Sequence, residues 1–546
     1  MRTHNDTTRR AVLGTGLAAV GSAFLSACSG GAEHRAHGGN ASGLPAPGGH
    51  SVPPAPEGFV SPDGREVLAA DGERHGNGRV RSVRLTANVG RVELGGGRTV
   101  KSWIYDDGLP GREVRVTAGD TLALTLANHL PVSSSLHWHG IALRNDMDGV
   151  PNVTQPPIRA GESFSYRFVV PHPGTYWFHP HSGVQIDRGM YAPLIVDDPK
   201  EPLSYDREWI VLIDDWVDGV EGSSPESVFS QLHKGSGAKM HHDDDHHAMP
   251  TPVEPGWSSP DTARRPGPNR VRMNMRSKLL GGHAGDVDYP YYLINGRTAD
   301  DPSEFVAKPG DRIRLRIINA GGDTGFRVAL GGHELTVTHS DGYPIQHVKT
   351  DALLLGMGER YDVLFTAKDG TFPLSALAEG KGGTAMAVLR TARGARPEDA
   401  ARPAELYGKV LTSCADVEPD ESVELERRRP DREMRIKLTG GMAKYDWAFD
   451  RKPYTPDHRY AVREGERVRM VFLNATDMWH PIHLHGHTYA LAGINGSGAR
   501  KDTAIVLPHR KLTVDFDADN PGLWMMHCHN IYHSESGMMA TVAYRS

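Results

Sequence analysis

The chain has 546 residues and a formal net charge of −6, which is too long for one compact core and long enough for about three to four domains. No run of 18 apolar residues occurs and acidic and basic groups nearly balance, so neither a spanning helix nor a nucleic-acid partner is indicated. Gly (62) and Pro (38) are abundant, while the apolar runs are short and rich in Val, Ile and Leu, a pattern that reads as all-β.

Taken in chain order, Thr8-Arg9-Arg10 precedes an apolar run from Ala11 to Ala27, the form of a twin-arginine export signal. An extracytoplasmic protein is therefore expected. Leu25-Ser26-Ala27-Cys28 resembles the lipobox of bacterial lipoproteins, so residues 1–28 read as a lipoprotein signal with Cys28 lipidated on the outer face of the cell membrane. The alternative is an incidental Cys28 with a simple peptidase cutting nearby. Residues 29–77 hold few apolar groups over much of their length and read as a disordered stalk.

Beyond the stalk the chain resembles itself three times. Gly119-Asp120, Gly310-Asp311 and Gly465-Glu466 each open an alternating apolar stretch that ends at Asn128, Asn319 or Asn474, nine residues after the Gly. Each copy is predicted as a turn followed by a half-buried strand. Nine residues after the Asn the copies diverge, to His137, Val328 and His483. A second frame behaves alike, with Gly174 leading to His179-Pro180-His181, Gly522 to His527-Cys528-His529, and Gly370 to Ser375-Ala376-Leu377. The outer copies carry histidines at these positions and the middle copy carries none there. Domains are expected at 78–200, 201–400 and 420–546, the first and third meeting at a shared metal cluster and the second serving as a spacer or substrate platform.

Histidine is the compositional outlier, with 29 copies. Side chains two apart on a strand share a face, so four HxH pairs present eight imidazoles, His137, His139, His179, His181, His483, His485, His527 and His529. One such pair would more often be structural; four at matched positions point to a metal cluster. Cys528 lies between two of these histidines and must face the other way. With His480, His533 and Met538 it makes a His₂Cys set with a weak thioether, the blue-copper arrangement. An electron accepted at Cys528 then reaches the cluster through one neighbouring residue.

These motifs, spread over residues 78–546, resemble those of three-domain multicopper oxidases of the bacterial laccase-like and cuprous oxidase group. The resemblance implies three cupredoxin-like (Greek-key β-sandwich) domains and four copper ions. A type 1 copper is expected at His480, Cys528, His533 and Met538, and a type 2 copper at His137 and His483. The type 3 pair takes the other six histidines, with His139, His179 and His529 on one ion and His181, His485 and His527 on the other. The implied reaction oxidises a small reducing substrate one electron at a time and reduces dioxygen to water. An acid must supply protons. Asp148 matches the carboxylate of bacterial relatives in position, although a turn-forming Asp before Gly149 is as good a reading. Relatives place Glu directly after the type 1 His; this chain has Ser534 there and Glu535 one later, a register shift that puts its role in doubt.

A methionine axial ligand favours readily oxidised donors such as phenols, aromatic amines, bilirubin-like pigments or Cu(I). The segment Met240 to Met249, with four His and three Asp, reads either as a copper-collecting loop of a cuprous oxidase or as a solvated low-complexity loop. Cys414 lies outside every motif and reads as a small core or loop residue. A non-catalytic copper-binding envelope protein is the competing class, disfavoured because no ligand is lost; a two-domain nitrite reductase would have no use for the extra HxH pairs.

Overall fold

The structure, a computed structural model, describes residues 52–234, 267–413, 417–492 and 498–546. The signal, Cys28, the 240–249 segment and Cys414 lie outside these residues. Strands dominate, as the composition predicts, and they group into paired sheets in sequence order. Residues 80–197 form two four-stranded sheets, 207–411 two six-stranded sheets, and 432–544 a six-stranded and a five-stranded sheet.

The threefold repeat is visible in the topology. The strands Thr121–Asn128, Arg312–Asn319 and Arg467–Asn474 occupy the same place in their units. Each runs parallel to the first long strand of its unit and antiparallel to a later one. The turn glycines before them, Gly119, Gly310 and Gly465, all have positive φ, which Gly adopts without strain. The terminal asparagines also do one job three times. Each Nδ2 donates to two carbonyls of neighbouring segments, Val132 and Ile158, Thr324 and Leu355, or Met478 and Val506. Each Oδ1 accepts the N–H two residues on. A buried amide that spends all these groups closes the strand end without an orphan.

Two expectations are corrected. The second repeat strand is not half-buried, because two of its three arginines point into protein as well and only Arg312 is exposed. Arg314 and Arg316 are nearly inaccessible and both pair with Asp362 Oδ2, at 2.6 and 3.2 Å, with Glu201 and Glu208 as further partners. Alternation reports chemistry along the strand but not what covers its polar face. Residues 52–77, read as stalk, fold at least in part. Arg65–Gly72 is a short helix with Val67 buried, and the Val60 N–H donates to the Tyr544 carbonyl. Among the described residues no helix is long and apolar enough to cross a membrane.

Candidate metal centre

Two antiparallel pairings place the histidines. In the first unit His137–His139 lies against Gly174–His179 with His137 opposite His179; in the third His480–Leu484 lies against Leu523–Cys528 with His483 opposite His527 and Ile482 opposite Cys528. The equivalent pairing in the second unit sets Val328 opposite Ala376. The period of two therefore sends His483, His485, His527 and His529 to one face and His480 and Cys528 to the other.

The eight HxH imidazoles from the first and third units converge. His137 and His485 stack with centroids 3.7 Å apart, as do His139 and His483. His139, His179 and His529 lie within 4.9–5.7 Å of one another, and His181, His485 and His527 within 5.0–5.2 Å. Nitrogens of several triplets, among them His181, His485 and His527, come within 4.8 Å of each other, close enough to share an ion.

Ring orientation is set by the nitrogen that faces away from the cluster. His137 donates its Nδ1–H to the Asp148 carbonyl (2.9 Å), His483 to that of Asp502 (2.9 Å), and His485 to the Asp148 carboxylate (2.9 Å). His179 and His527 each donate to the carbonyl of the next residue, Pro180 or Cys528. His139 is reversed: its Nε2–H donates to Asp502 Oδ1 (3.0 Å). The opposite nitrogens of His137, His139, His179 and His483, and both of His529, are buried with no hydrogen-bond partner. Buried polar atoms in folded proteins are generally paired, and here six unpaired ring nitrogens gather in one cluster. A cation that accepts lone pairs satisfies them, and the residues fit that requirement. Burial, reinforced by neighbouring rings, holds His179, His181, His485, His527 and His529 well below the ordinary imidazole range, so they are neutral and ready to ligate.

The second set lies on the other side of the 527–529 strand. Cys528 Sγ is 3.6 Å from His480 Nδ1 and 3.7 Å from His533 Nδ1, and those nitrogens are 3.2 Å apart. Each ring is turned by a bond at its far side. His480 Nε2–H donates to Thr476 Oγ (2.9 Å) and His533 Nε2–H to Asp286 Oδ2 (3.3 Å). Met538 is fully buried, and its carbonyl accepts the Cys528 N–H (3.1 Å). Burial pushes the Cys528 thiol up; a thiolate at this position therefore needs a bound cation. A thiolate with two imidazoles suits copper.

Asp148 closes the 3-10 turn Asn145–Met147 ahead of Gly149 with its backbone N–H, and its carboxylate lies 3.1 Å from His137 Nδ1 and 2.9 Å from His485 Nδ1. Glu535 is not turned away by its one-residue offset. The helix Ile531–Ser536 carries it to a small cavity shared with His179, His181, His527, Cys528 and His529. It also lines a cleft of about 570 Å³ that includes His181, Gln185, Glu226 and Met525. Burial raises its carboxyl to about 7. The sequence reading missed Asp502, Asp286 and Thr476, which orient ligand-type imidazoles. The signal for Asp502 was available as a charged pair, Lys501-Asp502, opening the apolar strand Thr503–Val506.

Comparison with known proteins agrees with this geometry. Three multicopper oxidase family models match residues 86–201, 243–394 and 427–546. The chain is similar to multicopper oxidase MmcO of Mycobacterium tuberculosis, at 46% identity over 479 residues, 88% of this chain and 90% of that protein. A copper resistance protein A homolog of Pseudomonas syringae pv. tomato is 30% identical over 84% of this chain and 91% of its own length. Among solved structures, Fet3p, a multicopper oxidase that functions in iron import, superposes with a TM-score of 0.67 at 20% identity, covering 85% of this chain and 90% of that one. By its family models, its relatives and its cupredoxin fold, the chain belongs to the multicopper oxidases, copper enzymes that oxidise a reducing substrate and reduce dioxygen.

Proposed function

We propose that the chain holds four copper ions in the arrangement its motifs imply: type 1 at His480, Cys528, His533 and Met538, type 2 at His137 and His483, and a type 3 pair on the remaining six histidines. The observation that carries this is the 527–529 strand, whose alternating side chains enter both donor sets. Bound copper supplies one-electron redox chemistry, and about four ions match the four electrons that dioxygen takes up. The chain's residues do the rest. Backbone carbonyls and the two carboxylates select the tautomers that aim free nitrogens inward. Asp148 acts as a holder of His137 and His485. Glu535 keeps a proton at its carboxyl between the cleft and His181, the place from which four-electron reduction must be supplied.

The test is a visible spectrum with copper quantitation. About four coppers per chain and a thiolate band at about 600 nm support the assignment, and one copper or none overturns it.

The donor is read as a small phenol or aromatic amine, a laccase-like activity. Cu(I) is a second reading, favoured by His533, which has no accessible ring edge for an aromatic donor to stack on and faces the carboxylate of Asp286. The name of the copper resistance relative points the same way. Rates with a phenol and with Cu(I), each with and without excess Cu(II), separate the two. Deleting residues 240–249 tests the loop, since unchanged Cu(I) oxidation removes it from the mechanism.

We read residues 78–200, 201–400 and 420–546 as the three domains, in keeping with the paired sheets and the family-model matches. The mature enzyme is read as extracytoplasmic and tethered through a lipid on Cys28, on the strength of Arg9-Arg10 and Leu25 to Cys28. Cell fractionation of a Cys28→Ala variant checks the tether; retention in the membrane fraction refutes it.

A further inference from the structure

The second unit carries none of the eight clustered histidines, yet one of its turns reaches them. Gly358 has φ +85°, and a Cβ there would stand 2.9 Å from His529 and 3.0 Å from His139. Two residues on, the fully buried Arg360 opens the strand Arg360–Thr366. Its guanidinium donates to Asp502 in bidentate fashion, Nη1 to Oδ1 at 2.7 Å and Nη2 to Oδ2 at 2.6 Å. Nε donates to the Thr175 carbonyl and Nη1 also to that of Gly358, both at 3.1 Å. The first unit leaves room for this pair. Gly140, directly after the first HxH, has φ +87°, and a Cβ there would lie 2.5 Å from Arg360 Nη2 and 2.6 Å from Asp502 Oδ2.

Asp502 in turn touches one histidine from each ligand-bearing unit. Its Oδ1 accepts from His139 Nε2 (3.0 Å) and lies 3.4 Å from His483 Nδ1, while its carbonyl accepts the Nδ1–H of His483. Thr503 Oγ donates to the same Oδ1 (2.8 Å). The backbone N–H groups of Asp502 and Thr503 are held at 3.2 Å by Asp341, whose other oxygen accepts the Arg360 N–H. The carboxylate therefore has little freedom except through the guanidinium.

We infer that Arg360 is a positioning residue for the trinuclear cluster: acting through Asp502, it sets the ring planes of His139 and His483 so that His139 Nδ1 and His483 Nε2 face the other imidazoles. The inference rests on the copper reading above. It gives the ligand-free second domain a part in building a cluster that its neighbours ligate. Guanidinium is the group the site requires, because a planar fork meets both carboxylate oxygens and two carbonyls at once, which a lysine ammonium cannot do. A structural ion pair joining three units is the competing explanation, and it predicts a different result.

The test uses the full chain loaded with copper, comparing wild type with Arg360→Gln, Arg360→Lys and Asp502→Asn. Copper per chain, the band at about 600 nm and the type 2 electron paramagnetic resonance signal are measured for each. The expected result for Arg360→Gln and Asp502→Asn is an intact blue band, loss or altered hyperfine splitting of the type 2 signal, copper lowered to about two per chain, and dioxygen consumption reduced at least roughly tenfold. Arg360→Lys restores part of the type 2 signal. Unchanged copper content and type 2 signal in both variants overturn the inference. So does loss of the blue band together with the cluster in both, because the pair then only holds the fold. Wild type with one copper or none instead refutes the copper reading itself.

Discussion

His527 donates its Nδ1–H to the carbonyl oxygen of Cys528, 2.9 Å away, so the imidazole in one donor set is oriented by the residue that supplies the thiol of the other. His179 makes the same bond to Pro180 in the first unit, where no thiol follows. The local geometry is thus shared by both repeats, and a single side chain turns one of them into a link between two sites.

Cys528→Ser should remove the absorption at about 600 nm and abolish donor oxidation while about three coppers remain on the eight imidazoles. Serine keeps the strand and the backbone carbonyl that holds His527. Absorption spectroscopy with metal analysis decides it, and a blue serine variant would refute the thiolate assignment.

Gly358→Ala should cost more than backbone strain alone. A left-handed residue other than Gly costs about 1–2 kcal/mol, and here the new methyl also meets His529 and His139. Gly161→Ala is the control, since its φ is +81° and nothing lies within 4 Å of its Cβ position. The expected outcome is a similar small fall in Tm for Gly161→Ala, and for Gly358→Ala a larger one with copper lost from the cluster. Equal effects would remove the contact argument.

The copper-free protein should lose stability on acidification. Burial keeps His139, His179, His181, His480, His483, His485, His527 and His529 below the ordinary imidazole value of 6.5, at His139 and His483 against the opposing effect of Asp502. The folded rings stay neutral while the unfolded chain takes up protons, so stability is present above pH 6.5 and falls as pH drops through it. Copper competes for the same nitrogens and should move that loss to lower pH. Thermal unfolding of apo and loaded protein at pH 7.5 and 5.5 measures it; parallel pH dependences would contradict the account.

Glu535→Gln should leave the blue band intact and slow dioxygen reduction by roughly 100-fold, the scale of a lost general acid. With the carboxyl raised to about 7 by burial, the wild-type group carries its proton below that pH and loses it above. Turnover of wild type should therefore decline as pH rises through about 7, and the Gln variant should lack that inflection. Full activity in the variant would remove Glu535 from proton delivery.

The repeat was legible because it is local. A Gly turn, eight alternating residues and a terminal Asn set a strand wherever they occur, and the three copies fold alike. The HxH pairs were legible for the same reason, since a period of two decides which side chains share a face. Glu535 was misjudged because its direction depends on a short helix stabilised by Asn530, which caps the N–H groups of Tyr532 and His533, rather than on strand alternation.

The sequence by itself determined the all-β units, the eight imidazoles, the opposed thiol and the family they imply. Only the tertiary structure decided what surrounds them: that Asp502 bridges His139 and His483, that Asp286 covers His533, that Arg360 reaches the cluster from the second unit, and that Arg314 and Arg316 are buried. Those contacts join residues 19 to 363 positions apart. Their partners are chosen by which surfaces the packed sheets bring together, and no local period in the chain encodes that choice.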